Sequence, residues 1–228
     1  AHGHMDFPLC TLRYFPSNIQ HTIQWARNQF EDLFTRRAED TNKFLRDPTF
    51  FEKEGMETWE MLNLVKMSLK EPPHCWQDCV GWARKLWERL FCHDILQLLY
   101  NYPPEHETNS GLPFWSGSKR CPHQLQFDYN NTTHKNFIVF ASHLFAKTHR
   151  LLVHEDEATT FQVLLELHFP PFQPHKGMHI PATDEEIPTL PNQTRLEELK
   201  QEWGKLKEEL ERDSDLLSGH MEPLYFEK

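Results

Sequence analysis

The sequence predicts a mainly α domain: seven or so helices in a multi-helix arrangement, with two long ordered loops and little strand. Three observations carry this. Apolar residues recur three and four apart in one run after another. Prolines stand where those runs stop, at Pro48, Pro72-Pro73, Pro103-Pro104 and Pro170-Pro171, as expected of a residue that cannot continue a helix. Two stretches, about 103–131 and 169–192, lack periodicity and are longer than simple connections need to be. The chain has 228 residues, 13% of them aromatic. That is enough for one large domain or two small ones with a packed core.

Taken in order, Ser17 reads as an N-cap, and Ile19, Ile23, Ala26, Phe30, Leu33 and Phe34 define a helix to about Arg36. A short helical piece at Ala38–Leu45 stops near Asp47-Pro48, and Gly55 breaks the chain. Trp59, Met61, Leu62, Val65 and Leu69 make the next helix. Trp76–Cys92 follows with a wide apolar face (Cys79, Val80, Ala83, Leu86, Trp87, Leu90, Phe91), so it is expected to be central. Ile95–Leu99 continues after a bend. Gln124–Tyr129 reads as a short strand or extended piece. Thr132 or Thr133 caps a helix to about His149, and another runs from Glu157 to His168. Thr194 caps the last, in which Leu196, Leu199, Trp203, Leu206 and Leu210 mark an amphipathic helix packed on the domain. About two heptads are short for a coiled coil. Leu224-Tyr225-Phe226 is expected to be extended.

The composition excludes several functions. A net charge of −10 opposes non-specific DNA or RNA binding, which needs clustered cations. An acidic surface suits basic protein partners. No apolar run approaches the roughly 18 residues of a membrane span. Eight glycines and no Gly-rich phosphate loop argue against a nucleotide-binding fold, and neither G-x-S-x-G nor H-E-x-x-H occurs. Residues 1–5 read as an affinity-tag remnant, so the domain spans 6–228 and is expected to be a fragment of something longer. Five irregularly spaced cysteines without a signal pattern read as free thiols in a reducing compartment. In that setting the Asn-x-Thr triplets at Asn130, Asn131 and Asn192 carry no glycosylation meaning.

Among the cysteines, Cys10 lies between Pro8 and Pro16, in a stretch that reads as stiff, extended and outside any helix. Arg13 and the positive end of the following helix would favour its thiolate. It reads either as a nucleophile or as an ordinary cysteine in a terminal loop. Cys79 falls on an apolar helix face and is expected in the core, with Cys75 and Cys92 at the ends of the same helix. Cys121, Cys75 and Cys79 match no structural zinc spacing, so no metal ligands are expected. The fifteen histidines show no metal-type spacing. His21 and His134 are candidates for a dyad with Cys10.

The segment Pro8-Leu9-Cys10-Thr11-Leu12-Arg13-Tyr14-Phe15-Pro16, followed by His21-Thr22-Ile23-Gln24-Trp25-Ala26-Arg27, resembles ubiquitin-activating enzymes. Further matches follow in order: Trp76–Val80, Gln97-Leu98-Leu99, Pro113–Gly117, Lys119–Pro122, Phe127-Asp128, Arg195–Lys200 and Phe226-Glu227-Lys228. The resemblance covers nearly the whole chain and points to the second catalytic-cysteine half-domain of these enzymes, a mainly α-helical module. It implies that Cys10 is the catalytic cysteine. It takes ubiquitin or a ubiquitin-like modifier from an acyl-adenylate as a thioester, then passes it to the cysteine of a conjugating enzyme. Thr11 and Arg13 match motif positions and would position the reacting carbonyl, with Asn130 and Asn131 as further candidates.

The resemblance also implies flanking adenylation domains in the same chain, which bind ATP and magnesium. None of these parts is visible here, so no cofactor is expected in this fragment and no activity alone. A cytoplasmic and nuclear monomer, with no nucleic acid or membrane partner, completes the expectation. Ubiquitin is favoured as the modifier. Tyr14–Ser17 and Trp76–Cys79 lean instead toward the activating enzyme for the interferon-induced ubiquitin-like modifier. A helical protein-interaction module without chemistry is the reading from a different class.

Overall fold

The computed structural model describes residues 7–47, 57–154, 156–187, 193–213 and 219–225. Side chains at 57–63, 193–196, 199, 210 and 211 are outside that description. The expected break at Gly55, the stop at Pro48, the Thr194 cap and the Leu196, Leu199 and Leu210 positions therefore fall outside it.

Nine α-helices are present among the described residues: α1 (Leu9–Arg13), α2 (Ile19–Phe30), α3 (Arg37–Arg46), α4 (Glu57–Lys70), α5 (Trp76–Glu88), α6 (Asp94–Asn101), α7 (Thr132–Thr148), α8 (Glu157–Glu166) and α9 (Gln193–Arg212). No strand occurs among them, only an isolated bridge between Glu107 and Pro113. The predicted piece at Gln124–Tyr129 is irregular, with Leu125 N–H donating to Phe91 O at 2.8 Å. No helix among the described residues is long and apolar enough to cross a membrane.

The central helix is α5, as its sequence requires. Trp76, Cys79, Val80, Ala83, Leu86 and Trp87 are all buried, at the spacing of one continuous helix face. That face packs on α7, whose Ile138, Ala141, Ser142, Phe145 and Ala146 are buried. Trp82 stacks flat on Phe145 with centroids 4.0 Å apart. Trp76 donates its indole N–H to Thr160 Oγ1 of α8 at 2.8 Å, so its polar atom is satisfied where it is buried. α9 lies on α4 with Trp203 and Leu206 buried, Trp203 against Phe44 of α3. Lys66–Glu202 and Lys70–Glu209 ion pairs line the seam. The last helix is thus the packed amphipathic helix its pattern predicts.

The helices predicted as continuous to Arg36 and to Cys92 are instead interrupted by π-turns at Glu31–Arg36 and Arg89–His93. Each has a docking role. Phe34 O accepts from Leu224 N–H at 3.0 Å and Phe91 O accepts from Leu125 N–H at 2.8 Å. Widening the turn frees a carbonyl for a segment that arrives from elsewhere. Both N-caps also differ from expectation by one residue. Asn18 caps α2 through its side chain to His21 N–H, and Ser17 does not. Asn131 caps α7, accepting from Thr133 and His134 N–H, and neither threonine does. Asn is among the strongest cap residues, and both asparagines lie immediately before the first helical residue.

Candidate active site around Cys10

Cys10 is neither extended nor exposed. Leu9–Arg13 form a five-residue helix, and Cys10 is buried within it at 3% exposure. The proline that suggested an extended stretch starts the helix instead: Pro8 occupies the N-cap position, and Pro8 O accepts from Leu12 N–H at 3.1 Å. So short a helix cannot hold itself together. Its first N–H groups need outside acceptors, and one carboxylate supplies both. Leu9 N–H donates to Asp184 Oδ2 at 3.0 Å, and Cys10 N–H donates to Asp184 Oδ1 at 2.8 Å.

Asp184 belongs to a strap, residues 175–187, that crosses α6 and the loop after it. His175 and Gln97 exchange hydrogen bonds, His175 N–H to Oε1 at 2.9 Å and Nε2–H to His175 O at 3.4 Å. Gly177 turns the chain in the left-handed region at φ 88°. Asn101 Nδ2 donates to Met178 O at 2.7 Å, and Tyr102 Oη to Ile180 O at 2.5 Å. Lys119 Nζ donates to Ala182 O at 3.3 Å. The strap closes on itself at Glu186 Oε2, which accepts from Ala182 N–H and lies 3.2 Å from His179 Nε2. Ile180 of the strap enters a small core with Cys10, Phe15, Leu98, Tyr102 and Phe114, and Ala182 and Ile187 pack against it. There Tyr102 stacks on Phe114 at 4.2 Å, Phe15 meets both edge-on, and Lys119 Nζ lies over Phe114 and Phe15 at 4.4 and 4.8 Å.

These surroundings reverse the expected electrostatics. Burial pushes the Cys10 thiol up to about 11, helped by its hydrogen bond to Asp184 and the negative charges of Asp184 and Glu186; Arg13 pulls the other way and loses. At pH 7 Cys10 is then almost wholly the protonated thiol. The N–H groups of Cys10 and Leu9 in turn hold the Asp184 carboxyl below its usual range, with the Cys10 thiol adding to them. In this arrangement the thiol is protonated and covered.

The other predicted residues separate into two groups. Thr11 is half-buried and Arg13 exposed, both on α1 beside Cys10. Asn130 and Asn131 contribute nothing to the cluster around Cys10. Asn131 is occupied as the α7 cap, and Asn130 N–H donates to Asp128 Oδ1. His21 bonds with Asn18 and Ser17, and His134 Nδ1 accepts from Asp128 N–H, so neither serves Cys10. All five cysteines are free, and Cys79 is fully buried as its helix face predicts. Sequence reasoning assigned no role at Cys10 to Asp184, Lys119 or Tyr102. The one signal available was Thr183-Asp184-Glu185-Glu186, an acidic run inside a Pro-rich stretch.

Fold and site together define a mainly α-helical domain that carries a cysteine in its first short helix, held there by Asp184 of a late acidic segment. The chain matches the family described as "Ubiquitin-activating enzyme, SCCH domain" over residues 16–228, and it belongs to that family. It is 43% identical over 203 residues to the ubiquitin-like modifier-activating enzyme 1 of Homo sapiens, covering 86% of this chain and 19% of that protein. It is 38% identical over 228 residues to the ubiquitin-activating enzyme E1 1 of Schizosaccharomyces pombe, 98% of this chain and 22% of that one. With the human ubiquitin-like modifier-activating enzyme 7 it shares 41% over 162 residues, 71% of this chain and 16% of that one. The chain thus spans about a fifth of the length of these relatives. The domain is the catalytic-cysteine domain of a ubiquitin-activating enzyme.

Proposed function

We propose that Cys10 is the cysteine that carries the modifier as a thioester, with ubiquitin as that modifier. The observation that carries this reading is the construction of α1. The helix holding Cys10 is only five residues long, and it is tied down by a carboxylate 174 residues away. A thiol meant only for packing, like Cys79, needs no releasable tie.

The chemistry runs as an acyl transfer in two steps. The Cys10 thiol loses its proton to solvent, its thiolate attacks the C-terminal carbonyl carbon of the modifier's acyl-adenylate, a C–S bond forms, the C–O bond to phosphate breaks, and AMP leaves with the electron pair. A conjugating-enzyme thiolate then attacks the same carbon and Cys10 departs as thiolate. Adenylation domains of the same chain, with ATP and magnesium, would supply the acyl-adenylate, since no Gly-rich phosphate loop exists here to hold a nucleotide. What this domain contributes is control of the thiol. With the strap lifted, the Asp184 and Glu186 charges leave and the sulfur is rehydrated. Arg13 then becomes the dominant charge and lowers the thiol pKa toward working range. Thr11 and Arg13, on the same helix, remain beside the reacting carbonyl to position it. A monomer acting in cytoplasm and nucleus fits this role.

The experiment restores the adenylation domains and supplies ATP and ubiquitin. An adduct that reducing agent cleaves is expected, and Cys10→Ala should abolish it. An adduct that persists in Cys10→Ala overturns the site. Replacing ubiquitin by the interferon-induced modifier tests the alternative substrate.

A further inference from the structure

The π-turn at Arg89–His93 brings a third metal-ligating side chain, His93, to the i, i+4 pair Glu88 and Cys92. In a regular α-helix, residues five apart lie about 140° from each other around the axis. Here Asp94 N–H donates to Arg89 O, and the wider winding brings position 93 back under position 88. The ligand atoms of Glu88, Cys92 and His93 consequently lie within 4.8 Å of one another. We propose that Glu88, Cys92 and His93 form a three-ligand site for a divalent, thiophilic metal ion of the zinc class.

The surroundings prepare the carboxylate for this. Arg84 Nη1 holds Glu88 Oε2 at 2.6 Å. Arg84 cannot follow Glu88 elsewhere, because its guanidinium is sandwiched against the rings of Phe127, Phe169 and Trp87 at 4.4, 4.6 and 5.2 Å. Glu88 also accepts a hydrogen bond from the Cys92 thiol, and its Oε1 sits 3.8 Å from His93 Nε2. The separation is too long for a hydrogen bond. It is close to the edge of about 3.4 Å between two ligands of a tetrahedral zinc ion with bonds of roughly 2.1 Å. The pair is well sheltered, with the Glu88 side chain 14% and the His93 side chain 32% exposed. The His93 ring rests against Phe172 at 5.3 Å, which limits its rotation. One carboxylate, one thiolate and one imidazole are a normal zinc donor set, with water completing the fourth position. Binding displaces the Cys92 proton to solvent, so the ion's two positive charges meet two negative ligands and the fixed Arg84 cation. The site lies at the start of α6, the helix whose other end anchors the strap through Gln97, Asn101 and Tyr102.

Cobalt(II) alone is the probe, added to the purified chain at neutral pH. One equivalent should produce the near-ultraviolet thiolate-to-cobalt charge-transfer band and raise Tm. Cys92→Ser should erase the band, whereas Cys75→Ser and Cys121→Ser should keep it. Glu88→Gln, which retains the thiol, and His93→Gln should each weaken binding by at least about tenfold. Circular dichroism establishes that each variant is folded. Histidines at positions 2 and 4 can hold cobalt but give no sulfur band. Absence of the band in the unmodified chain, or its survival in Cys92→Ser, overturns the site and leaves Arg84–Glu88 as an ordinary ion pair. Neither result bears on thioester formation at Cys10.

Discussion

The α5–α7 interface and the Cys10 cluster are both rich in aromatic rings, yet they are secured by different means. Between α5 and α7 the contacts are apolar and continuous, with Trp87 1% and Ile138 0% exposed and Trp82 stacked on Phe145. Such a core yields only on global unfolding. Around Cys10 the rings form a small cluster, and the strap over them is tied by a series of separate hydrogen bonds to backbone carbonyls and N–H groups. Each is worth about 1 kcal/mol, so this region can open locally while the rest stays folded. Two buried thiols report on the contrast: Cys79 in the first region and Cys10 in the second.

The largest test strikes the rigid region. Trp87→Ala should cost about 3–5 kcal/mol in denaturant unfolding, while Cys10 alkylation in native buffer keeps its rate. A rate that rises in parallel would mean the two regions open together. A smaller effect is expected from Asp184→Asn, which keeps one of the two oxygens that the Leu9 and Cys10 N–H groups use and removes the charge facing the thiol. The Cys10 thiol should fall from about 11 toward its ordinary 9.0, so alkylation at pH 8 rises about tenfold for each pH unit of that fall. The sign of the linked stability follows from the direction. A thiol raised on folding contributes stability that is complete below pH 9 and is lost as pH climbs from 9 to about 11. Asp184→Asn should shrink that alkaline loss, measured by unfolding at pH 8 and pH 10.5. The smallest effect belongs to Tyr102→Phe. It keeps the stack on Phe114 but loses the bond to Ile180 O, about 1 kcal/mol, so Cys10 should be alkylated about fivefold faster. Cys79 alkylation should not change.

The rigid region was legible in the sequence and the releasable one was not. Helix periodicity places Cys79, Ala83, Trp87, Ile138 and Phe145 inside because each repeats a local geometric rule. Pro8 and Pro16 misled, since Pro is equally at home in an extended stretch and at a helix start. The acidity of the Cys10 environment depends on Asp184 and Glu186, which no local rule brings to residue 10. The π-turns were hidden for the same reason. What they satisfy is a carbonyl demand from Leu125 and Leu224, residues that arrive through tertiary structure.

The separation between Cys10 and its carboxylate has a consequence in time. On a ribosome that adds roughly 5–20 residues per second, Asp184 emerges about 9–35 s after Cys10. Until then α1 has no acceptor for its first N–H groups and no cover for its sulfur. The thiol is therefore bare and near its ordinary acidity for most of the domain's synthesis. The finished fold shields from oxidation a group that the nascent chain must carry unprotected.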